Sequence, residues 1–201
     1  MQGTQASLYL YARAIEDGRK ARSSGSIRIG YGADDIDIES CINEASLKTL
    51  DHLNYKPIKT GKYLVCFKPE PFLDLITSFS NLYNARSIID GISLSTKDSI
   101  GEKLSSNILC ITDDGLHEAN YGASTFDGEG TPTQNIEIIK NGVLKSFIHS
   151  EATARIFGTN PTGHAGIGAK VSVSPDWPVI FKANDELAKC PHLSYQNSKE
   201  T

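Results

Sequence analysis

The chain has 201 residues, 39% of them hydrophobic, and its 20 basic residues against 24 acidic ones leave a net charge of -4. That length can bury one sizeable core or parts of two, and the acid excess, with a pI near 5.7, gives no electrostatic reason to expect nucleic acid as a partner. Every apolar run is shorter than the roughly 18 residues of a membrane span, and MQGTQASLYLY lacks the basic start and apolar core of a signal peptide; no membrane association and a cytoplasmic location are expected.

From the N-terminus, SLYLYARA alternates like a strand, EDG turns the chain, and GSIRIGYGADDIDI alternates again, which predicts antiparallel strands. Arg13, Arg19, Lys20 and Arg22 cluster near the turn with Glu16 and Asp17 among them, so a solvated hairpin end is expected rather than a phosphate site. From Asp37 the period lengthens: Ile38, Ile42, Ala45 and Leu53 fall near one helical face, and the helix should stop before Pro57. NYKPIKTG, residues 54–61, has linker composition and marks a boundary ahead of KYLVCF, residues 62–67, an apolar run of buried-strand type.

Pro69 and Pro71 suit the first turn of a helix, and Phe72, Leu75, Ile76, Phe79 and Tyr83 follow at spacings that predict a core-facing side. Residues 87–106 are polar and read as an irregular connection into a strand NILCIT, residues 107–112. NIEIIKNGVLKSFIHS is the clearest local structure, because Asn141-Gly142 accepts the positive φ angles of a type I′ turn between two strands. EATARIF predicts a short helix and GTNPTGHAGIGAKV a glycine-rich loop; after Phe181 the chain is polar and aperiodic, like a loose tail.

Few residue groupings point to chemistry. Cys41, Cys66, Cys110 and Cys190 lie far apart with no Cys-x-x-Cys pair, and they read as reduced thiols. His117-Glu118 begins like a zinc-protease helix motif, but Tyr121 and Gly122 stand where a second ligand would be needed, so an exposed loop is expected. His149, Ser150 and Glu151 are adjacent, whereas triad groups converge from separated segments; Ser150 is expected to cap the following helix. His164 sits alone in a glycine loop and is expected to be exposed, and GHAGIG does not follow a strand and open a long helix as a dinucleotide site would. Asp127 and Glu129, in TFDGEGTPTQ, favour turn-building: Asp127 can accept backbone N–H bonds, Gly128 and Gly130 tolerate positive φ, and Pro132 sets the exit. A peptide or metal role is the alternative.

The order of segments is more specific than any one of them. FDGEGTPTQNIEIIKNGVLKSFIHSEATARIFGTNPTGHAG resembles the signature of the TldD/PmbA family, in which a D-x-E-G-x-P-T-Q turn leads into a hairpin, a T-A-R helix and an S/P-T-G-x-A loop. IDIESCINEASLKTLDHL, PIKTGKYLVCFKPEPFLDLI and CITDDG occur upstream in the family's order, so the resemblance runs from about residue 8 to 181.

The resemblance implies an α+β fold with mixed, largely antiparallel sheets and a few packed helices. It implies that residues 1–56 are the remainder of the family's N-terminal or central domain, 62–181 the first part of its C-terminal domain, and 182–201 a polar tail. Family members work as cytoplasmic heterodimeric zinc metalloproteases acting on peptides and unfolded proteins. Their TldD-type subunit carries a His-Glu-x-x-x-His helix, and the corresponding FLDLITSFSNLYNAR has no histidine.

The chain is therefore expected to be a PmbA/TldE-type subunit with no catalytic residue and no cofactor of its own, the zinc residing in a TldD-type partner. Asp127, Glu129, Gly130, Thr131, Gly163 and His164 are its candidate substrate or subunit contacts. Compared with the family, the chain looks truncated at both ends, so a non-enzymatic binding or regulatory module, or a gene remnant, is the rival expectation. The family label "modulator of DNA gyrase" gains nothing from this acidic composition.

Overall fold

A computed structural model describes residues 5–117, 120–168, 172–175 and 178–182. The chain forms two compact units, Met1–Cys66 and Phe67–Thr201. Both are built of antiparallel sheet and short helices, an α+β fold.

In the first unit, β1 (Ala6–Ala14) pairs with β2 (Arg22–Gly30), Tyr9 opposite Ile27 and Ser7 opposite Ile29. Helix α1 (Ile38–Asp51) packs on this ribbon, with Cys41, Ala45 and Thr49 buried one helical turn apart. Asp37 starts the helix by accepting the Ser40 N–H at 2.9 Å. The alternating stretch expected to run on through Ile38 stops at Gly30, because the chain folds back there. Asp35 accepts the Gly32 N–H and closes a 3-10 turn, Ala33–Asp35, and a Cβ at Gly30 would stand 2.5 Å from that of Asp35.

Ser26 and Arg28 of β2 meet Glu44 of α1 at 2.7 Å each, and Lys48 reaches the other Glu44 oxygen at 2.7 Å. Lys48 first, then Ser26 and Arg28, hold the Glu44 carboxyl down at about 2. At the hairpin end Arg19 donates to the Leu53 carbonyl and Arg22 lies over the Tyr55 ring, so the basic cluster clasps the exit of α1.

KYLVCF is a correction. It forms no strand, and Tyr63, Leu64, Val65 and Phe67 are exposed. Such a run makes a strand only where a neighbour completes the ladder, and among the described residues none pairs with it.

The second unit carries a four-stranded sheet in the order β5-β4-β3-β6, formed by β3 (Leu109–Asp114), β4 (Asn135–Lys140), β5 (Val143–Leu144) and β6 (Pro178–Lys182). Asn141 (φ 50°) and Gly142 (φ 75°) make the expected tight turn between β4 and β5. β5 is only two residues long, because the chain leaves β4 once Lys145 and Ser146 both donate to the Ile138 carbonyl. Ile148 then bonds Tyr83 and Ala85 instead.

The core gathers Tyr83, Ala85, Ile111, Ile138, Ile139, Leu144, Phe147, Ile148 and Val173. Helix α2 (Pro69–Ser78) has proline in its first turn as expected, but Leu75 and Phe79 are exposed and Ile76 is its contact with the core. Tyr83 lies beyond its end. The polar stretch after it opens with a short helix not anticipated, α3 (Ala85–Ile89), which Asn84 caps by accepting from Arg86 and Ser87. Helix α4 (Glu151–Phe157) is the EATARIF helix; Ser150 accepts from Thr153 N at its start and Gly158 (φ 70°) ends it. Of the expected tail, residues 182–201, Lys182 ends β6 and the rest lie outside the described residues.

Candidate functional site

The signature turn and the glycine-rich loop meet backbone to backbone. Asp127 Oδ1 accepts from the N–H groups of Glu129 and Thr131, both at 2.9 Å, and Oδ2 accepts from Ala165 N at 3.0 Å. Gly128 N donates to the Ala165 carbonyl at 2.8 Å. The approach is so close that a Cβ on Gly128 would lie 2.5 Å from the Gly166 carbonyl carbon. Gly130, at φ 85°, closes the turn by donating to the Asp127 carbonyl.

Glu129 points the other way. Its Oε2 accepts from Glu151 N at 2.8 Å, placing a carboxylate at the start of α4. Both Asp127 oxygens are engaged by backbone donors and Glu129 is exposed, so the two carboxylates do not share a buried site as a catalytic pair would. The pair instead ties three segments together: the 125–134 turn, the 163–166 loop and α4.

Gly130 and Glu129 are exposed, Asp127 and Thr131 half-buried, and Gly163 and His164 buried. His164 is thus a correction, being 2% exposed where exposure was expected. Gly163 takes φ 79° and packs against the Pro132 carbonyl, which turns the next side chain inward toward β3. There His164 Nε2 lies 3.3 Å from Asp113 Oδ1, with both side chains fully buried, although the alignment is too poor for a hydrogen bond. Thr162 Oγ1 lies 2.8 Å from His164 Nδ1.

Tyr83 stands beside this pair; burial first, then the Asp113 charge, push its hydroxyl up to about 12. Asp113 was legible in principle, because it sits two residues after buried Ile111 on the inward side of β3. His149, Ser150 and Glu151 diverge as expected: His149 is buried between rings, Ser150 caps α4, and Glu151 pairs with Arg155 at the surface. His117 lies in a turn, its N–H donating to the Asp114 carbonyl, and Glu118 lies outside the described residues.

A pocket of about 180 Å³ opens where these loops meet, lined by Gly115, Asn120, Gly122, Ser124, Phe126, Asp127, Thr133, Gly163 and Ala165. Asn120 shapes one wall, donating to the Gly115 carbonyl and accepting from Gly122 N. The lining is mostly glycine and small polar residues, with Phe126 and Asp127 among them. Such a surface suits shape and main-chain recognition more than acid–base chemistry.

Residues 60–191 match the family described as the PmbA/TldA metallopeptidase C-terminal domain. The chain belongs to the PmbA/TldD metallopeptidase family. It is 29% identical over 166 residues to Metalloprotease MJ0996 of Methanocaldococcus jannaschii, which covers 80% of this chain and 36% of that protein. It is 29% identical over 169 residues to Metalloprotease PmbA of Escherichia coli O157:H7, covering 81% of this chain and 36% of that protein. The chain thus spans little more than a third of these curated relatives.

Among solved structures, a Thermotoga maritima protein named for modulation of DNA gyrase superposes with a TM-score of 0.77 at 27% identity, over 87% of this chain and 40% of that one. TldE from Thermococcus kodakarensis shares the fold with a TM-score of 0.66 at 21% identity, over 88% of this chain and 40% of that one.

The family's description implies a metal, and the described residues offer no donor set that fits one. Among the described residues no three His, Cys, Asp or Glu side chains form a group that could hold a metal ion. The sequence of α2, PEPFLDLITS, offers two carboxylates and no histidine or cysteine. Nor does any helix among the described residues have the length and apolarity to cross a membrane.

Proposed function

We propose that the chain acts as a PmbA/TldE-like subunit, without a metal site of its own, that supports peptide hydrolysis by a TldD-type zinc metalloprotease partner. The observation that carries this reading is α2. It stands where the resemblance places the metal-binding helix, follows the same apolar run and prolines, and has no histidine in its sequence. The Asp127–Glu129 junction supports the same reading: its carboxylates fix loops beside the pocket and leave no acid–base pair free.

The decisive experiment is co-purification with a TldD-type subunit, followed by metal analysis and a peptidase assay of each chain and of the complex. Zinc and activity are expected with the partner and absent from this chain alone. One tightly held zinc per isolated chain, lost on mutating His117 or His164, would overturn the assignment.

A second reading, a non-enzymatic binding module of the same family, is favoured by one observation. Tyr9, Tyr11, Ile27 and Ile29 are exposed together on the face of the β1–β2 ribbon away from α1. Capture of peptides by this chain in the absence of any TldD-type subunit would favour that module.

A further inference from the structure

Asn141-Gly142 is the chain's only Asn-Gly step, and the turn it makes is not a free hairpin end. Gly142 is buried, while Asn141 beside it is exposed. The Gly142 N–H donates to the Leu109 carbonyl of β3 at 2.9 Å, and the Gly142 carbonyl accepts from the N–H groups of Leu104 at 2.8 Å and Ser105 at 3.2 Å. A Cβ on Gly142 would stand 2.5 Å from the Ser106 carbonyl oxygen, so residues 104–106 lie across the glycine like a strap. Leu104 anchors that strap by packing on the core. Asn141 is fixed to β3 as well: its N–H donates to Cys110 Sγ at 3.3 Å, and the thiol donates to its Oδ1 at 3.7 Å.

Asparagine before glycine is reactive because glycine has no side chain to keep its nitrogen away from the preceding carboxamide. The Gly142 nitrogen, once its proton passes to hydroxide, can attack Asn141 Cγ. The N–Cγ bond forms as Cγ–Nδ2 breaks, and the side-chain nitrogen leaves as ammonia with a proton from water. Water then opens the cyclic imide. Opening at Cγ gives aspartate; opening at the main-chain carbonyl carbon gives isoaspartate, whose backbone runs through the side chain and is one carbon longer. Nothing is oxidised or reduced. In the folded chain the attacking nitrogen is the one whose proton the Leu109 carbonyl holds. Ring closure also turns Asn141 ψ out of the left-handed region that accompanies its φ of 50°, a rotation that Gly142 cannot follow under the strap.

We propose that Asn141 is a deamidation site gated by folding: the closed turn withholds the Gly142 nitrogen, and a chain that opens there converts Asn141 to isoaspartate and does not close again. Return is blocked by length. Ile139 pairs with Leu144 and Lys140 with Val143 across a two-residue loop, and an added backbone carbon within that loop moves Gly142 off Leu109, Leu104 and Ser105 together. Aspartate from the other ring opening leaves the backbone intact, and Asp-Gly suits the same turn. The modification therefore separates chains that have opened at β4–β5 from those that have stayed folded.

Incubation of the full chain in mildly alkaline buffer, folded and in urea, tests this, with peptide mapping by mass spectrometry and chromatographic separation of the isoaspartyl and aspartyl forms. In urea, Asn141 should convert faster than every other asparagine of the chain. In the folded chain it should convert slower by about tenfold or more, as the protection of a closed turn requires. Leu104→Ala, which weakens the anchor of the strap, should raise the folded-chain rate. On removal of urea, Asn141→Asp should regain hydrogen-exchange protection at Gly142 and Leu104, and isoaspartyl chains should not. Equal rates in folded and unfolded chains, a folded Leu104→Ala chain no faster than the parent, an Asn141→Asp chain that does not fold, or isoaspartyl chains that regain that protection would each overturn the proposal.

Discussion

Asp127 and Glu129 stand two positions apart and bind backbone in opposite directions, one toward the 163–166 loop and the other toward α4. What the turn requires at Gly130 is a backbone conformation, φ 85°, rather than a charge. Gly130→Val should therefore cost about 1–3 kcal/mol, since a β-branched residue is strained there. Glu129→Gln should cost less, because an amide oxygen can still accept from Glu151 N. Chemical denaturation of the two variants checks the order; an unfolded Glu129→Gln beside a silent Gly130→Val would contradict it. The Asx-turn at Asp127 was legible in the sequence because both of its Oδ1 bonds lie within four residues. The burial of His164 was not, because it depends on Asp113, 51 positions away by number and brought close only when Gly163 packs on Pro132.

Most elements whose partners are close in sequence were read correctly, whereas KYLVCF and the buried face of α2, which depend on distant partners, were not. The Asn141-Gly142 turn, the Ser150 cap and the start of α1 all rest on contacts within a few residues. KYLVCF has strand composition and no ladder, and α2 has a helical period while Leu75 and Phe79 remain exposed. Short α3 escaped notice because it lasts five residues and its signal is one capping asparagine.

The packing of α1 on β2 gives an element-scale prediction through Glu44. Its carboxyl, ordinarily near 4.5, is held at about 2 in the folded unit. The stabilisation is thus fully present above about pH 4.5 and is lost as pH falls through 2. The side chain is a third exposed, so solvent screening reduces its worth to about 1 kcal/mol. Glu44→Gln should lower the stability of the first unit by that amount at neutral pH and nearly abolish the difference near pH 2, as urea melts at several pH values would reveal.

At the scale of the whole molecule, the exposed Tyr9–Tyr11–Ile27–Ile29 face is a surface that a partner could cover. Under the subunit reading, a TldD-type partner binds the folded state and raises its melting temperature in a concentration-dependent way. Thermal melts with and without that partner, beside size-exclusion chromatography, test this. A monodisperse chain that melts cooperatively, ignores the partner and hydrolyses peptides unaided would remove the subunit proposal.

The unpaired KYLVCF segment also bears on how the chain survives its own synthesis. Six residues rich in β-formers, free of proline and glycine, with Leu64 wholly exposed, have the composition of a cross-β nucleus. Lys62 at its start is the only charge within it to oppose stacking with other copies. Leu64→Lys adds a second charge at a position that touches no core, so it should raise soluble yield and delay thioflavin-positive fibril formation, with the melting temperature unchanged. A variant that aggregates as fast as the parent would move the hazard elsewhere, most plainly to the tyrosine face of β1 and β2.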